Sequence, residues 1–213
     1  MSLQVITVPA ITGKEPTGLI VTLHGWGANA QNLAAVVPLA NLPDYQFMFP
    51  NAPFPHPYGA GRMWYDLGQE KGKGLPESRQ LLINWLQSLE GSTGVPLSRT
   101  ILSGFSQGAA MTLDVGLSLP LAGLVALSGY LHPTSPPAGG KFPPVLIVHG
   151  RQDYVVPVKA AQDARDNLVA LGVSVEYQEF DMGHEIRPEV LALTRNFVLR
   201  IMSKEDQKVY KSS

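Results

Sequence analysis

The chain has 213 residues, 45% of them hydrophobic and 15% charged, enough apolar material to bury a substantial core at the upper edge of one ordinary domain. Its 16 basic residues stand against 17 acidic ones for a net charge of -1, and no Lys/Arg run is long enough to follow a phosphate backbone, so nucleic acid is not expected as a partner. The absence of cysteine excludes disulfides, thiolate metal ligation and a thiol nucleophile. Residues 1–10 lack the basic and apolar regions of a secretory leader, and no run nears the roughly 18 apolar residues of a membrane span, so a cytoplasmic chain without an integral membrane segment is expected.

Gln4 to Pro9 alternates loosely, as an N-terminal strand would. Gly18-Leu19-Ile20-Val21-Thr22-Leu23-His24 is a near-continuous apolar run, the pattern of a strand buried on both faces. It ends in His24-Gly25-Trp26-Gly27-Ala28-Asn29, a turn that presents backbone N–H groups at the carboxyl edge of a sheet. Asn29 is placed to cap a helix running through Leu33 and Val37 to Pro38, and Tyr45 to Phe49 is a second strand. Residues 50–61 hold too much proline and glycine for regular structure. They lead into Arg62-Met63-Trp64-Tyr65-Asp66-Leu67, an aromatic patch that is a candidate pocket wall.

Gln69 to Gly74 reads as an exposed, mobile connector, and Glu77 to Glu90 as a helix with Leu81, Leu82, Trp85, Leu86 and Leu89 on its apolar face. Thr100 to Ser103 is a β-prone run, and Ala109 to Leu119 a helical one. Gly123 to Leu127 and Pro144 to Gly150 are buried strands, separated by Ser128-Gly129-Tyr130 and a loop holding Pro133, Pro136, Pro137, Gly139 and Gly140. A helix from Val158 to Leu171, a strand from Val173 to Phe180 and a helix from Pro188 to Met202 follow, and 203–213 is expected to be a polar tail that frays. This order predicts one α/β domain over residues 1–213, with a mostly parallel central sheet, helices on both faces and no large lid.

Gly104-Phe105-Ser106-Gln107-Gly108 fits G-x-S-x-G between a strand and a helix, the context of a nucleophile elbow. A serine hydroxyl needs a base, and that base needs an orienting carboxylate, in the chain order Ser, Asp or Glu, His. His184 is the histidine placed for this, just past a strand. His24 belongs to the glycine turn, His56 and His132 to proline-rich loops suited to solvated or rim positions, and His149 to the end of a buried strand. Asp153, beyond the strand ending at Gly150, is the expected acid, with Asp181 as competitor; Asp163 and Asp166 lie on a helix face. The tetrahedral oxyanion would take the backbone N–H of Gln107, following the nucleophile, and that of Trp26.

His24-Gly25-Trp26-Gly27, the Gly104 to Gly108 elbow, Gly150-Arg151-Gln152-Asp153 with Val156-Pro157, and Gly183-His184 together resemble the small carboxylesterase and acyl-protein thioesterase family of α/β-hydrolases, over about Gly18 to Phe197. The resemblance implies a serine esterase or thioesterase with Ser106, Asp153 and His184 as its triad and the Trp26 and Gln107 amides as its oxyanion hole. It implies no cofactor or metal, and a small-molecule ester as substrate. Trp64-Tyr65-Asp66 is similar to the family's aromatic-Asp stretch near the acyl pocket, and Trp26, Phe54, Tyr58, Trp64 and Phe105 are the candidate pocket residues. Trp26 stands where many members carry a smaller aliphatic side chain, so a shortened acyl channel is expected. A non-catalytic binding protein, a lactone, peptide or phospholipid hydrolase, and either a monomer or a homodimer stay open at this point; a serine in place of cysteine weighs against a dienelactone hydrolase.

Overall fold

The computed structural model describes residues 2–133 and 141–212, with side chains described through Ser203. In chain order its elements are β1 (Val5–Val8), β2 (Gly18–Leu23), α1 (Ala30–Ala34), α2 (Val37–Ala40), β3 (Tyr45–Pro50), β4 (Phe54–Pro55), β5 (Arg62–Met63), α3 (Leu75–Thr93), β6 (Thr100–Phe105), α4 (Gln107–Gly116), β7 (Gly123–Leu127), β8 (Val145–Gly150), α5 (Val158–Ala170), β9 (Val175–Phe180) and α6 (Pro188–Ser212). A seven-stranded sheet runs β1-β3-β2-β6-β7-β8-β9, parallel throughout except for β1, which pairs antiparallel with β3. From β2 the chain winds outward to β3, and from β6 it winds the other way through β7, β8 and β9. The reversal between β2 and β6 leaves a crevice at their carboxyl ends, where the glycine turn and the Gly104 to Gly108 pentapeptide both lie.

The near-continuous apolar strands are explained by burial on both faces. Leu19, Val21, Leu23, Leu102, Leu124, Ala126, Val145 and Ile147 pack toward α3, α4 and α5, where they meet Leu82, Leu86, Met111 and Leu168. Their alternates Ile20, Ile101, Val125, Leu127, Leu146 and Val148 pack toward α1, α2 and α6, against Leu33, Val37, Phe197 and Val198. Strand periodicity of two thus feeds two cores separated by one sheet.

Four segments differ from the sequence reading. The helix expected to run from Asn29 to Pro38 is two short helices: Asn29 caps α1 reciprocally with Asn32, and Pro38 lies in the first turn of α2, where its missing N–H costs nothing. The proline-rich loop contains a two-residue ribbon, with β4 antiparallel to β5. The connector expected to be mobile is folded around Asp66, whose carboxylate accepts the amides of Gly68 at 2.6 Å and Glu70 at 2.8 Å. The backbone of α6 stays helical past Met202 to Ser212, through a sequence without proline or glycine. The reading of Pro136, Pro137, Gly139 and Gly140 as loop lies outside the described residues. Among the described residues, no helix is long and apolar enough to cross a membrane.

A Cβ at Gly108 would lie 2.2 Å from the Leu23 carbonyl oxygen, so α4 seats against the end of β2 only with hydrogen at that position. Gly108→Ala is therefore expected to lower the unfolding free energy by about 3 kcal/mol or more. At Gly91, exposed on α3 with nothing within 4 Å of an added Cβ, alanine is expected to add about 0.5 to 1 kcal/mol. Urea titrations of both variants check this ranking, and a reversed order would contradict the packing described.

Candidate active site

Ser106 caps α4 with φ 55° and ψ -118°, a left-handed backbone that costs a β-carbon-bearing residue on the order of 1–3 kcal/mol. Neighbouring elements hold it there. Its N–H donates to the Leu127 carbonyl of β7 at 2.9 Å, and its own carbonyl accepts from Ala109 at 3.0 Å and Ala110 at 3.1 Å. Gln107 follows as the first residue of α4, so its amide has no acceptor within the helix. The Gln107 side chain is wholly buried and works separately: its Oε1 accepts the Trp64 N–H at 2.9 Å and its Nε2 donates to the Tyr65 carbonyl at 2.7 Å.

The loops after β8 and β9 meet beside the elbow. They approach so closely that a Cβ at Gly150 would lie 2.3 Å from the Met182 carbonyl oxygen. Across this junction the His184 Nδ1–H donates to Asp153 Oδ2 at 2.7 Å. The other oxygen, Oδ1, accepts the amides of Val155 at 2.9 Å and Val156 at 2.8 Å, so a carboxylate with no exposed side-chain surface is satisfied by fixed donors. Asp181 turns outward instead, 76% exposed and paired with Arg151 at 2.7 Å. Nearness to His184 in sequence thus leaves Asp181 on the surface, while a separation of 31 residues brings Asp153 to the imidazole. The Phe105 ring lies against the His184 ring with centroids 4.7 Å apart.

On the opposite side, the turn after β2 comes up to the elbow: a Cβ at Gly25 would sit 3.3 Å from the Ser106 Cβ. The turn is held by His24, which is fully buried. The Ala52 N–H donates to His24 Nε2 at 3.0 Å, which assigns the ring proton to Nδ1, and Nδ1–H donates to the Gly25 carbonyl at 2.8 Å. That carbonyl shares its peptide plane with the Trp26 N–H, which points the other way because the peptide is trans. The Gly27 and Ala28 amides are engaged by the Arg62 and Gly25 carbonyls, whereas the Trp26 amide meets no acceptor among the described residues.

A cavity of about 530 Å³ joins these parts, lined by Gly25, Trp26, Phe105, Ser106, Val156 and His184 among others. Of the five aromatic candidates, Trp26 and Phe105 lie in its wall and the other three lie elsewhere. Trp64 is in the core with its indole N–H on the His24 carbonyl at 3.0 Å, Phe54 packs over Gly74, and Tyr58 is 74% exposed. The wall also uses Pro157, Leu67 from the segment expected to form a pocket wall, and Lys71, Tyr130, Val155 and Ala160, which composition and spacing did not single out. Among the described residues, no group of three or more His, Asp or Glu is placed to hold a metal.

A buried polar chain stands behind this wall. Tyr130 contacts the Tyr65 hydroxyl, which also meets His132 Nε2 at 2.9 Å; His132 Nδ1 faces Asp114 Oδ2 at 3.6 Å, and Arg79 grips the Asp114 carboxylate through two bonds of 2.8 and 3.0 Å. Burial pushes the Asp114 carboxyl up, but His132 and Arg79 outweigh it and hold it below the usual carboxylate range. His132, expected at a solvated rim, is therefore a core residue. His56 packs edge-on against Trp26 with centroids 4.0 Å apart.

The phospholipase/carboxylesterase family model matches residues 7–202. The acyl-protein thioesterase 1 of Neurospora crassa is 29% identical over an alignment covering 95% of each chain, and that of Saccharomyces cerevisiae is 30% identical, covering 87% of this chain and 90% of its own. The crystal structure of the esterase PE8 superposes with a TM-score of 0.86 at 32% identity, covering 94% of this chain and all of its own.

Burial lowers the proton affinity of His24; the hydrogen bond to the Gly25 carbonyl opposes this and Arg62 adds to it. In the unfolded chain the same imidazole takes up its proton near its ordinary value of 6.5. The unfolded state thus binds more protons once the pH falls below that value, and stability is lost as the pH drops toward the lower folded-state value. His24→Asn is expected to lose less unfolding free energy than the parent between pH 7.5 and pH 5.5, measured by urea denaturation. An equal loss would remove His24 as a source of the acid slope.

Proposed function

Because the chain belongs to the phospholipase/carboxylesterase family, we propose that it hydrolyses small carboxylic esters, and thioesters, through an acyl-Ser106 intermediate. The observation that carries this reading is the 2.7 Å bond from His184 Nδ1–H to the buried Asp153 carboxylate, at a cavity whose wall also contains a serine on a strained elbow. With Nδ1 committed to Asp153, Nε2 is the nitrogen of His184 free to take the Ser106 proton, and Asp153 stabilises the imidazolium that forms. The serine oxygen adds to the substrate carbonyl and the oxyanion settles on the Gln107 and Trp26 amides, each worth about 2.7 to 4 kcal/mol in such a site. The imidazolium then protonates the departing alkoxide or thiolate. In the second half, His184 takes a proton from water, which attacks the acyl carbonyl; collapse of the second tetrahedral intermediate releases the acid and restores the Ser106 hydroxyl.

The acyl-protein thioesterase names of two relatives support thioesters within the substrate range. The wall formed by Trp26, Phe105 and Tyr130 supports a short acyl group, since three rings border a cavity of about 530 Å³ next to the nucleophile.

Ser106→Ala is expected to lower kcat on p-nitrophenyl butyrate by about 10³-fold or more while leaving the far-ultraviolet circular dichroism unchanged. Substantial turnover by the folded variant would sink the assignment. Asp153→Asn is expected to cost at least about 100-fold in kcat, and Asp181→Asn, on the surface, less than about twofold. A chain-length series of p-nitrophenyl esters with matched thioesters is expected to peak at short acyl groups. A long-chain optimum would overturn the short-acyl assignment and favour the acyl-protein reading.

A further inference from the structure

His149, near the end of β8, takes no part in the reaction as described, yet its side chain is completely buried against the acid. Its Nε2 lies 2.8 Å from the Val156 carbonyl oxygen and 3.3 Å from Asp153 Oδ2. Both are acceptors at neutral pH, so Nε2 carries the ring proton. Nδ1 is buried without a hydrogen-bond partner among the described residues, so a second proton there would place an unsatisfied N–H and a charge in the core. The ring N–H is committed to the cavity wall, which fixes one tautomer, with the carboxylate oxygen close beside it.

We propose that His149 is a positioning residue for Asp153: it fixes the Val156 peptide that binds the carboxylate, and its ring N–H, lying beside Oδ2, moderates the negative charge presented to His184. The proposal rests on the reading of Ser106, Asp153 and His184 as a triad. Oδ1 is filled by the amides of Val155 and Val156, Oδ2 accepts from His184 at 2.7 Å, and the His149 Nε2 lies 3.3 Å from Oδ2. Val156 closes the arrangement into a ring: its carbonyl accepts from His149 and its amide donates to Asp153. His149 therefore holds the carboxylate through the peptide groups of Val156, a residue that lines the cavity, with its ring N–H edge beside Oδ2.

Removing this donor concentrates charge on the oxygen facing His184, which raises the proton affinity of the imidazole, and also frees the Asp153 loop to move. The other charges near His184 are exposed and paired, Glu185 with Arg187 and Asp181 with Arg151. Across from His149 in β9, Glu179 is bound to Arg151, Gln162 and Tyr177.

The test measures kcat and KM against pH on p-nitrophenyl butyrate for His149→Leu, which removes the donor, and His149→Gln, whose amide nitrogen replaces Nε2. His149→Leu is expected to lower kcat by about 10-fold to 100-fold with KM within about twofold, and to move the acid limb of kcat/KM upward by roughly half a pH unit. His149→Gln is expected to recover most of both. A folded His149→Leu with parental kcat and acid limb would overturn the proposal, as would a His149→Gln variant as impaired as His149→Leu. Should His149→Leu fail to fold, ¹⁵N NMR of the parent decides the matter. A protonated Nε2 and bare Nδ1 are expected for the neutral ring, and an Nδ1-protonated neutral tautomer would contradict the assignment. The NMR result does not depend on Ser106, so a failure of the triad reading, seen as activity surviving Ser106→Ala, is distinguishable from a failure here.

Discussion

The backbone of Ser106 is held where a side chain is poorly tolerated, and much of the surrounding structure is what holds it. An isolated chain would relax a φ of 55° at serine into an ordinary turn. Here β7 takes the Ser106 amide, α4 takes its carbonyl, and Gly108 lets that helix press against the last carbonyls of β2. The same close approach brings the Gly25–Trp26 peptide beside Ser106. Strain at one residue is thus maintained by strand pairings on both sides of it, which is why the elbow sits at the middle of the sheet instead of at an edge.

On the other flank the governing constraint is burial of a charge. A carboxylate with no solvent must be matched by fixed donors, and Asp153 is matched by two amides and the His184 imidazole, with the His149 ring close beside it. The amides come from its own turn, so the orientation of the carboxylate does not depend on the histidine alone. His184 is then brought in by β9, whose loop crosses Gly150 at backbone contact distance. Asp181 shows the contrasting case: solvated and paired with Arg151, it has the residue type and the sequence proximity, but not the environment.

The aromatic segment 62–67 is tied to the elbow less as a pocket wall than as a brace. Gln107 grips the backbone of Trp64 and Tyr65, and Trp64 reaches through the core to the His24 carbonyl. His24 in turn fixes the Gly25 carbonyl and so the direction of the Trp26 amide. One buried chain of hydrogen bonds therefore joins the two residues whose amides are the proposed oxyanion donors. In a water-poor interior, each of these bonds restricts orientation more than it contributes net stability.

The alternation and length of the apolar runs determined the fold by themselves, because a strand covered on both faces needs continuous Val, Ile and Leu, and only a helix-covered parallel sheet provides that cover. The glycines at 104 and 108 marked the tight turn before α4, and the order of serine, acid and histidine pointed to Ser106, Asp153 and His184 as the proposed triad. Tertiary structure decided which groups share a cavity. Trp64 reads as a pocket aromatic until its indole is seen bonded in the core, and Tyr130, Val155 and Ala160 carry no local signal of lining a wall. It also decided the partners of Arg79, Asp114 and His132, and the approach of His149 to Asp153. Periodicity and turn chemistry act over a few neighbouring residues and are written along the chain. A side chain's partners and protonation depend on the strands and helices packed around it, and these are set only when the sheet is assembled.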